Sequence, residues 1–271
     1  MIEAAPAKVN LALHLRRRRA DGYHDLETLF AFTDFGDTIR VRVGDGLSLT
    51  VDGPFTAAVG EGDNLVLRAA RALAFAGGCP ANAALTLDKC IPVAAGLGGG
   101  SADAAATLRL LNWFWQLDWP LERLAAIAAP LGADVPACVF SETLAGIGKG
   151  DILSPVDLGL AGAAILLVNP GVAVPTGPVF AGWDLVDRGA LDPQRWRTAR
   201  NDLTLPAIAI APVIADVLRA LDATGASFVR MSGSGATCLA LYDDAATCAA
   251  AQASLAANQP SWWATATTLR A

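Results

Sequence analysis

Residues 92–104 read Pro-Val-Ala-Ala-Gly-Leu-Gly-Gly-Gly-Ser-Ala-Asp-Ala, and four of the five residues 96–100 are glycine. Apolar residues then recur from Ala104 to Trp115 at the spacing of one helical face. The preceding residues 84–91 alternate in part between apolar and polar, which is typical of a strand. The sequence therefore predicts a strand, a glycine-rich loop and a helix, with Ser101 as the N-cap of that helix.

A loop of this kind is a natural binding site for a phosphate group. Glycines let the backbone approach a bulky anion, and the first N–H groups of the helix point towards it. A flexible glycine turn is the alternative. The common nucleotide motifs do not account for the loop: Gly150 follows Lys149 where a P-loop needs Ser or Thr, and Ser101 replaces the third glycine of the dinucleotide pattern. The G-x-S-x-G pattern of a nucleophile elbow is absent as well.

The composition limits the classes of protein that need to be considered. With 271 residues, 54% of them hydrophobic and 17% charged, the chain is long enough for one large or two ordinary domains. No run approaches 18 strongly apolar residues, and the first residues lack the pattern of a signal peptide. We therefore expect a cytoplasmic protein with no membrane partner. A net charge of −6 argues against nucleic acid, which requires a basic surface.

The cysteines and histidines argue against a zinc site. The chain has five cysteines, none in a C-x-x-C pair, and only two histidines. The cysteines are expected to be small buried residues in a reducing compartment.

Single polar or charged residues stand out in apolar or alternating stretches of the chain. Residues 7–15 alternate and predict a strand with Lys8 and Asn10 on its polar face, where simple solvent exposure is the alternative. Asp134 is the one acid of the apolar stretch Leu-Gly-Ala-Asp-Val-Pro at 131–136. A carboxylate buried in such a stretch needs a partner of opposite charge. The alternative is that Asp134 caps a helix. The four arginines 16–19 predict a solvated loop, with an electropositive rim for an anionic ligand as the alternative.

The order of the remaining elements predicts an α+β fold. In the second part a strand ends at Met231 and is followed by a Gly/Ser loop, a strand, a helix and a last strand. Residues 155–162 are the predicted junction. The predicted domains are therefore 1–157 and 158–271.

Taken together, these motifs resemble those of the GHMP kinases, a family named for galactokinase, homoserine kinase, mevalonate kinase and phosphomevalonate kinase. The glycine-rich loop looks like the ATP-binding loop of that family. Asp-Gly-Tyr-His-Asp-Leu-Glu-Thr-Leu-Phe at 21–30 looks like the signature of those members that act on 4-diphosphocytidyl-2-C-methyl-D-erythritol. The other motifs that carry the resemblance are residues 7–11, 131–136, 175–180, 201–202 and 232–235.

The resemblance implies two domains with the active site in the cleft between them. It implies ATP as donor, Mg²⁺ as cofactor, and the 2-hydroxyl of 4-diphosphocytidyl-2-C-methyl-D-erythritol as acceptor, in the non-mevalonate isoprenoid pathway. We expect a monomer or a weak homodimer. The alternatives are a GHMP kinase for mevalonate or homoserine, and a non-catalytic ATP-binding module of the same fold.

The resemblance also implies roles for individual residues. Asp134 orients the acceptor hydroxyl and takes its proton, while Lys8 keeps Asp134 ionised and offsets charge on the transferred phosphoryl group. The residues implied for ATP are Asn64, Lys89, Pro92, Gly96, Leu97, Gly98, Gly99, Gly100 and Ser101, and Ser101 is also the candidate ligand for Mg²⁺. The residues implied for the acceptor are Asn10, Tyr23, His24, Thr176, Phe180, Gly233, Ser234 and Gly235, of which Tyr23, His24 and Phe180 recognise the cytidine end.

Two features depart from the family pattern. Lys149 stands in a Gly-Lys-Gly turn where many relatives carry an acid. The arginine run 16–19 makes its loop more basic than the family usually shows.

Overall fold

The structure, a computed structural model, describes residues 1–58 and 64–270, and these form ten strands and eight α-helices. The strands are β1 (Ile2–Arg18), β2 (His24–Arg42), β3 (Leu47–Asp52), β4 (Ala83–Asp88), β5 (Leu144–Gly148), β6 (Ile152–Pro155), β7 (Ala164–Asn169), β8 (Phe228–Met231), β9 (Cys238–Tyr242) and β10 (Trp263–Thr268). The helices are α1 (Leu65–Gly77), α2 (Gly99–Phe114), α3 (Leu121–Ala128), α4 (Val135–Phe140), α5 (Thr176–Ala181), α6 (Thr204–Ile210), α7 (Val213–Asp222) and α8 (Ala245–Asn258). Short 3-10 segments lie at Thr56–Ala58 and Pro193–Thr198.

The chain packs as two compact units, and β1 and β2 each supply a segment to both of them. Unit 1 consists of Met1–Lys8, Phe35–Val93 and Gly98–Ser141, and unit 2 of Val9–Asp34, Ala94–Leu97 and Glu142–Ala271. The predicted two-domain α+β fold is confirmed, while the division at 157–158 stays a prediction. Among the helices of the described ranges, none has the length and apolarity needed to cross a membrane.

Unit 1 combines a small sheet with four helices. β4 pairs in parallel with β3 and antiparallel with β2. The side chains of β4 alternate, so that Leu85 and Leu87 are buried. Helix α2 packs against α1 and α4, and its buried alanines at 104–106 allow the helices to approach closely.

Unit 2 contains a four-stranded antiparallel sheet in the order β10-β7-β9-β8. Every residue of β7 is buried, as expected for a central strand with an unbroken apolar run. Helix α7 buries Ile214, Val217 and Leu221, which share one face because they lie three, four and seven residues apart. In the same unit β5 pairs with the first part of β2 and with β6.

Helix α2 begins earlier than the sequence predicts. Its N-cap is Gly98, with φ at +62°, and its first residue is Gly99, so the prediction that Ser101 caps this helix is wrong. Glycine adopts the left-handed conformation readily, which lets the chain enter the helix directly after Gly98. Ser101 therefore lies in the first turn, and Asp103 follows it on the buried side of the helix.

Candidate active site

An ion pair between Lys8 and Asp134 is the central feature of unit 1. Lys8 lies on β1, its side chain is 4% exposed, and its Nζ lies 3.0 Å from Oδ2 of Asp134. The carboxylate side chain is 38% exposed. Burial of an ammonium group is unfavourable unless an opposite charge compensates it, so Asp134 stabilises the position of Lys8. Solvent exposure, the alternative for Lys8, is excluded.

Asp134 lies immediately before α4 but does not cap it. Its φ and ψ of −84° and −14° are already helical, and its side chain makes no capping hydrogen bond. An N-cap side chain would have to turn back towards the free N–H groups of its own helix. The cap alternative is therefore wrong, and one oxygen of the carboxylate instead meets Lys8.

Gly98 is required because the stem of Lys8 passes beside it. A Cβ atom at Gly98 would lie 3.0 Å from Cε and 3.3 Å from Cβ of Lys8. The positive φ of Gly98 also disfavours any other residue at this position. The glycine that caps α2 and the lysine that meets Asp134 are thus packed against each other.

The start of α2 provides a favourable site for an anion. The first hydrogen bond at this end runs from the N–H of Ala102 to the carbonyl of Gly98, so the N–H groups of Gly99, Gly100 and Ser101 have no carbonyl partner in the helix. The first turn carries no acidic residue, and its partial positive charge is therefore not neutralised by the side chains of the turn.

Asn64 and Lys89, which were predicted to lie near the nucleotide, make structural contacts within unit 1. Oδ1 of Asn64 accepts a hydrogen bond from the N–H of Val66 and caps α1. Nζ of Lys89 donates to Asp37 and Asp103. Direct contact of either residue with ATP stays a prediction, as does that of Pro92.

The middle of the glycine-rich loop belongs to unit 2, where the segment 232–237 holds it. Oγ of Ser232 donates a hydrogen bond to the carbonyl oxygen of Gly96 at 2.9 Å. The N–H of Thr237 donates to the carbonyl oxygen of Ala95 at 3.1 Å. A Cβ atom at Gly96 would lie 2.6 Å from the carbonyl oxygen of Gly235. The two Gly-rich segments recognised in the sequence are therefore neighbours in the fold.

The residues predicted for the acceptor form a polar group in unit 2. Nδ2 of Asn10 donates to Oγ1 of Thr28 at 2.8 Å, and the N–H of Asn10 donates to Oγ of Ser232. A Cβ atom at Gly233 would lie 3.2 Å from Oδ1 of Asn10. The hydroxyl groups of Thr176 and Ser234 lie 3.1 Å apart. Buried Asn10 is thus held by its neighbours in a fixed orientation.

Aromatic rings gather around His24, also in unit 2. The ring centroids of His24 and Phe180 lie 5.2 Å apart and those of His24 and Trp183 lie 5.7 Å apart. Burial, assisted by the charge of Arg18, lowers the pKa of His24, so that the imidazole is neutral at neutral pH. It can then donate through one nitrogen and accept through the other.

Trp183 was missed in the sequence because it lies outside every motif there. Its side chain is buried, and its Nε1 has no hydrogen-bond partner within residues 1–58 and 64–270. An aromatic residue three positions after Phe180, on the same side of a helical turn, was the available signal.

Tyr23 makes a different contact from His24. Its side chain is exposed, and Nζ of Lys149 lies 4.9 Å from the centre of its ring, a cation–π contact. Lys149, which departs from the family pattern, thus joins the group predicted to recognise the acceptor.

The arginine run is largely paired with neighbouring acids. Arg16 meets Glu27 and Asp187, whereas Arg17 and Arg19 share Asp25. Residues 16–18 belong to strand β1, so the prediction of a loop is wrong for them. The electropositive rim is disfavoured as well, because most of the positive charge is compensated locally.

A metal site made of protein groups is not found in the part of the chain that the structure describes, where no three His, Cys, Asp or Glu residues are suitably grouped. Mg²⁺ in kinase sites takes most of its ligands from substrate phosphates and water and only one or two from the protein. The half-buried hydroxyl of Ser101, in the first turn of α2, fits that limited role.

The sequence matches two known protein-family domains. Residues 64–142 match the GHMP kinases N terminal domain, and residues 184–260 match the GHMP kinases C terminal domain.

Several known proteins are similar to this chain over all or nearly all of its length. A protein of Rhizorhabdus wittichii named 4-diphosphocytidyl-2-C-methyl-D-erythritol kinase is 52% identical over 99% of this chain and 94% of its own. A crystal structure of 4-(cytidine 5'-diphospho)-2C-methyl-D-erythritol kinase is 34% identical, covers 100% of both chains and has a TM-score of 0.86. Homoserine kinase from Cytophaga hutchinsonii is 17% identical, with a TM-score of 0.76 over 99% of this chain and 94% of its own, and shares the fold.

Replacement of Gly98 by alanine should impair catalysis by displacing Lys8. Gly78→Ala is the matched control, because Gly78 has the same φ of +62° but a Cβ atom there would have no neighbour within 4 Å. Both substitutions should lower the free energy of unfolding by about 1 kcal/mol through the left-handed backbone. Only Gly98→Ala should also lower the turnover number of the expected ATP-dependent transfer, by about 10-fold or more. Equal turnover numbers for the two variants would contradict the contact with Lys8.

His24 should make the stability of the protein depend on pH. Its pKa in the folded state is lowered from 6.5, so its contribution to stability is present above pH 6.5 and is lost as the pH falls. Denaturant unfolding at pH 7.5, 6.5 and 5.5 measures the decline. The His24→Gln variant should show a smaller decline than the wild type, and an unchanged decline would mean that His24 is not buried as a neutral group.

Proposed function

The chain belongs to the GHMP kinase family, and we propose that it transfers the γ-phosphoryl group of ATP to the 2-hydroxyl of 4-diphosphocytidyl-2-C-methyl-D-erythritol. Family membership makes it a small-molecule phosphotransferase. The proposed acceptor is supported by the names of the R. wittichii protein and of the similar crystal structure, and by the aromatic group around His24. The reaction would be a step of the non-mevalonate isoprenoid pathway.

The ion pair of Lys8 and Asp134 is the observation that carries the proposal. An alcohol becomes a good nucleophile when a base takes its proton, and Asp134 supplies a partly exposed carboxylate for this purpose. Lys8 lies against both this carboxylate and Gly98. Its ammonium group can therefore orient the base and offset negative charge on the transferred phosphoryl group. A non-catalytic ATP-binding module would have no need for this pair.

The first turn of α2 would hold the phosphates of ATP. The N–H groups of Gly99, Gly100 and Ser101 are available there, and the helix dipole favours an anion. Mg²⁺ would supply charge neutralisation on the phosphates, with Ser101 as its protein ligand. In phosphoryl transfer, positioning and charge stabilisation provide nearly all of the catalysis, so a loop whose middle accepts hydrogen bonds from Ser232 and Thr237 suits the task.

The residues of unit 2 would orient the acceptor. Asn10, held by Thr28, would position the methylerythritol part, and Thr176 with Ser234 would offer hydroxyl groups nearby. A cytosine ring needs an aromatic face for stacking and hydrogen bonds at its edge. Phe180 can supply the face, and neutral His24 can supply a donor and an acceptor. Tyr23 beside Lys149 would complete this end of the site.

The experiment that tests the proposed function compares three acceptors. ADP formation is measured with diphosphocytidyl-methylerythritol, mevalonate and homoserine, and NMR locates the new phosphate ester. We expect turnover with the first acceptor only, with the ester at the 2-hydroxyl. Asp134→Asn should lower kcat by about 100-fold or more, because the base is lost. The control Asp216→Asn, which removes an exposed acid that pairs with Arg219, should not lower it. Faster turnover of mevalonate or homoserine would overturn the proposed acceptor.

Phe180→Ala tests recognition of the nucleobase. Loss of one stacking contact should raise the KM for the diphosphocytidyl substrate by about 5- to 100-fold and leave the KM for ATP unchanged. Phe75→Ala, which removes an exposed aromatic ring from α1, is the control and should change neither constant. An equal loss for ATP and for the acceptor would remove Phe180 from the proposed cytidine site.

A further inference from the structure

Unit 1 contains a buried cluster of charged groups that the proposed mechanism does not use. The cluster, termed here the buried triad, consists of Asp37, Lys89 and Asp103. Nζ of Lys89 lies 2.5 Å from Oδ2 of Asp37 and 2.7 Å from Oδ2 of Asp103. The three side chains are at most 5% exposed. Charges removed from water to this extent are tolerated only when they compensate each other.

The triad is bonded to the chain on both sides of the glycine-rich loop. On the strand side, Oδ1 of Asp37 accepts hydrogen bonds from the N–H groups of Cys90 and Ile91, directly before Pro92. On the helix side, Asp103 belongs to α2 itself. A Cβ atom at Gly99 would lie only 3.0 Å from Nζ of Lys89, so the ammonium group lies directly against the first residue of the helix.

Lys89 is already committed to its two carboxylates. Burial disfavours its charge, but Asp103 and Asp37 outweigh that effect and raise the pKa of Lys89. If the ammonium group turned towards a phosphate, it would leave two buried carboxylates without compensation. A direct role in binding ATP would therefore conflict with the packing around it.

The two carboxyl groups differ in their surroundings. Asp37 accepts three hydrogen bonds, two of them from backbone N–H groups. Oδ1 of Asp103 is buried and has no hydrogen-bond partner in the described part of the chain. Burial raises the pKa of Asp103 to about 8, although Lys89 lowers it.

We propose that the buried triad positions the glycine-rich loop for ATP, and that Lys89 acts through the loop rather than by touching the nucleotide. Asp37 holds the segment that enters the loop, Asp103 holds the helix that leaves it, and Lys89 joins the two. Lys89, Asp37 and Asp103 are thus positioning residues. The inference rests on the proposed binding of ATP by this loop, and it assigns functions to Asp37 and Asp103 that no sequence motif indicates.

The decisive comparison is between Asp37→Asn and the matched control Asp88→Asn. Asp88 is adjacent to Lys89 in sequence, but its half-buried carboxylate lies 4.0 Å from the guanidinium group of Arg40 and is not part of the triad. Calorimetry with ATP and magnesium chloride measures Kd, and steady-state assays measure the KM for the acceptor. Asp37→Asn should weaken ATP binding by about 10-fold or more, which corresponds to the free energy of one hydrogen bond to a charged group. The KM for the acceptor should stay within about twofold of the wild-type value. Asp88→Asn should bind ATP as the wild type does.

Two outcomes would overturn the inference. One is unchanged ATP affinity in folded Asp37→Asn, together with a large loss in Lys89→Met, which would mean direct contact between Lys89 and ATP. The other is equal weakening of ATP and acceptor binding, which would indicate general damage. The proposed function fails separately, if the wild type does not phosphorylate the acceptor.

Substitutions of Asp103 keep the inference testable if Asp37→Asn does not fold. An asparagine can keep one oxygen for the bond from Lys89 and place its amide nitrogen where Oδ1 of Asp103 has no partner in the described part of the chain, so Asp103→Asn should keep ATP affinity within about threefold of the wild type. Leucine has a similar volume but cannot accept a hydrogen bond from Lys89, so Asp103→Leu should weaken ATP binding by about 10-fold. Equal affinities in the two variants would show that the bond from Lys89 to Asp103 does not position the loop.

Discussion

The 3.0 Å ion pair between Lys8 and Asp134 is the interaction on which the rest of unit 1 depends. A lysine with only 4% of its side chain exposed needs a compensating charge, and Asp134 provides it from the start of α4. The stem of the same lysine occupies the space beside Gly98, which leaves no room for a side chain at the residue that caps α2. One buried cation thus contacts both the carboxylate before α4 and the glycine that caps α2.

Unit 1 contains two groups in which a buried lysine pairs with aspartate side chains, and the two groups differ in exposure to solvent. The pair of Lys8 and Asp134 has a partly exposed carboxylate and can meet a reactant. The triad of Asp37, Lys89 and Asp103 is closed off from solvent and can only hold the backbone around it. The contrast follows from exposure rather than from residue type, since both groups consist of a lysine and aspartates. In the proposed function, the pair would therefore take part in the reaction and the triad would position the loop.

Local patterns in the sequence were sufficient to predict the strand, the glycine-rich loop and the helix of unit 1. The pairs Lys8 with Asp134 and His24 with Phe180 were expected only through resemblance to a family, because each joins residues more than 100 positions apart. The triad was not predicted. Nothing local in the sequence indicates that Asp37, Lys89 and Asp103 lie beside one another. The N-cap was misplaced because a serine was expected to cap the helix with its side chain, whereas Gly98 enters the helix through a left-handed conformation three residues earlier.

The central claim is that Lys8 and Asp134 act as one catalytic unit. A double-mutant cycle on kcat with Lys8→Met, Asp134→Asn and the combined variant tests it most directly, with folding of each variant checked by thermal denaturation. Residues that act as a unit are strongly non-additive, so the combined variant should be about as slow as the slower single variant. If the two losses in kcat instead multiply in the combined variant, Lys8 and Asp134 act independently and the account is wrong.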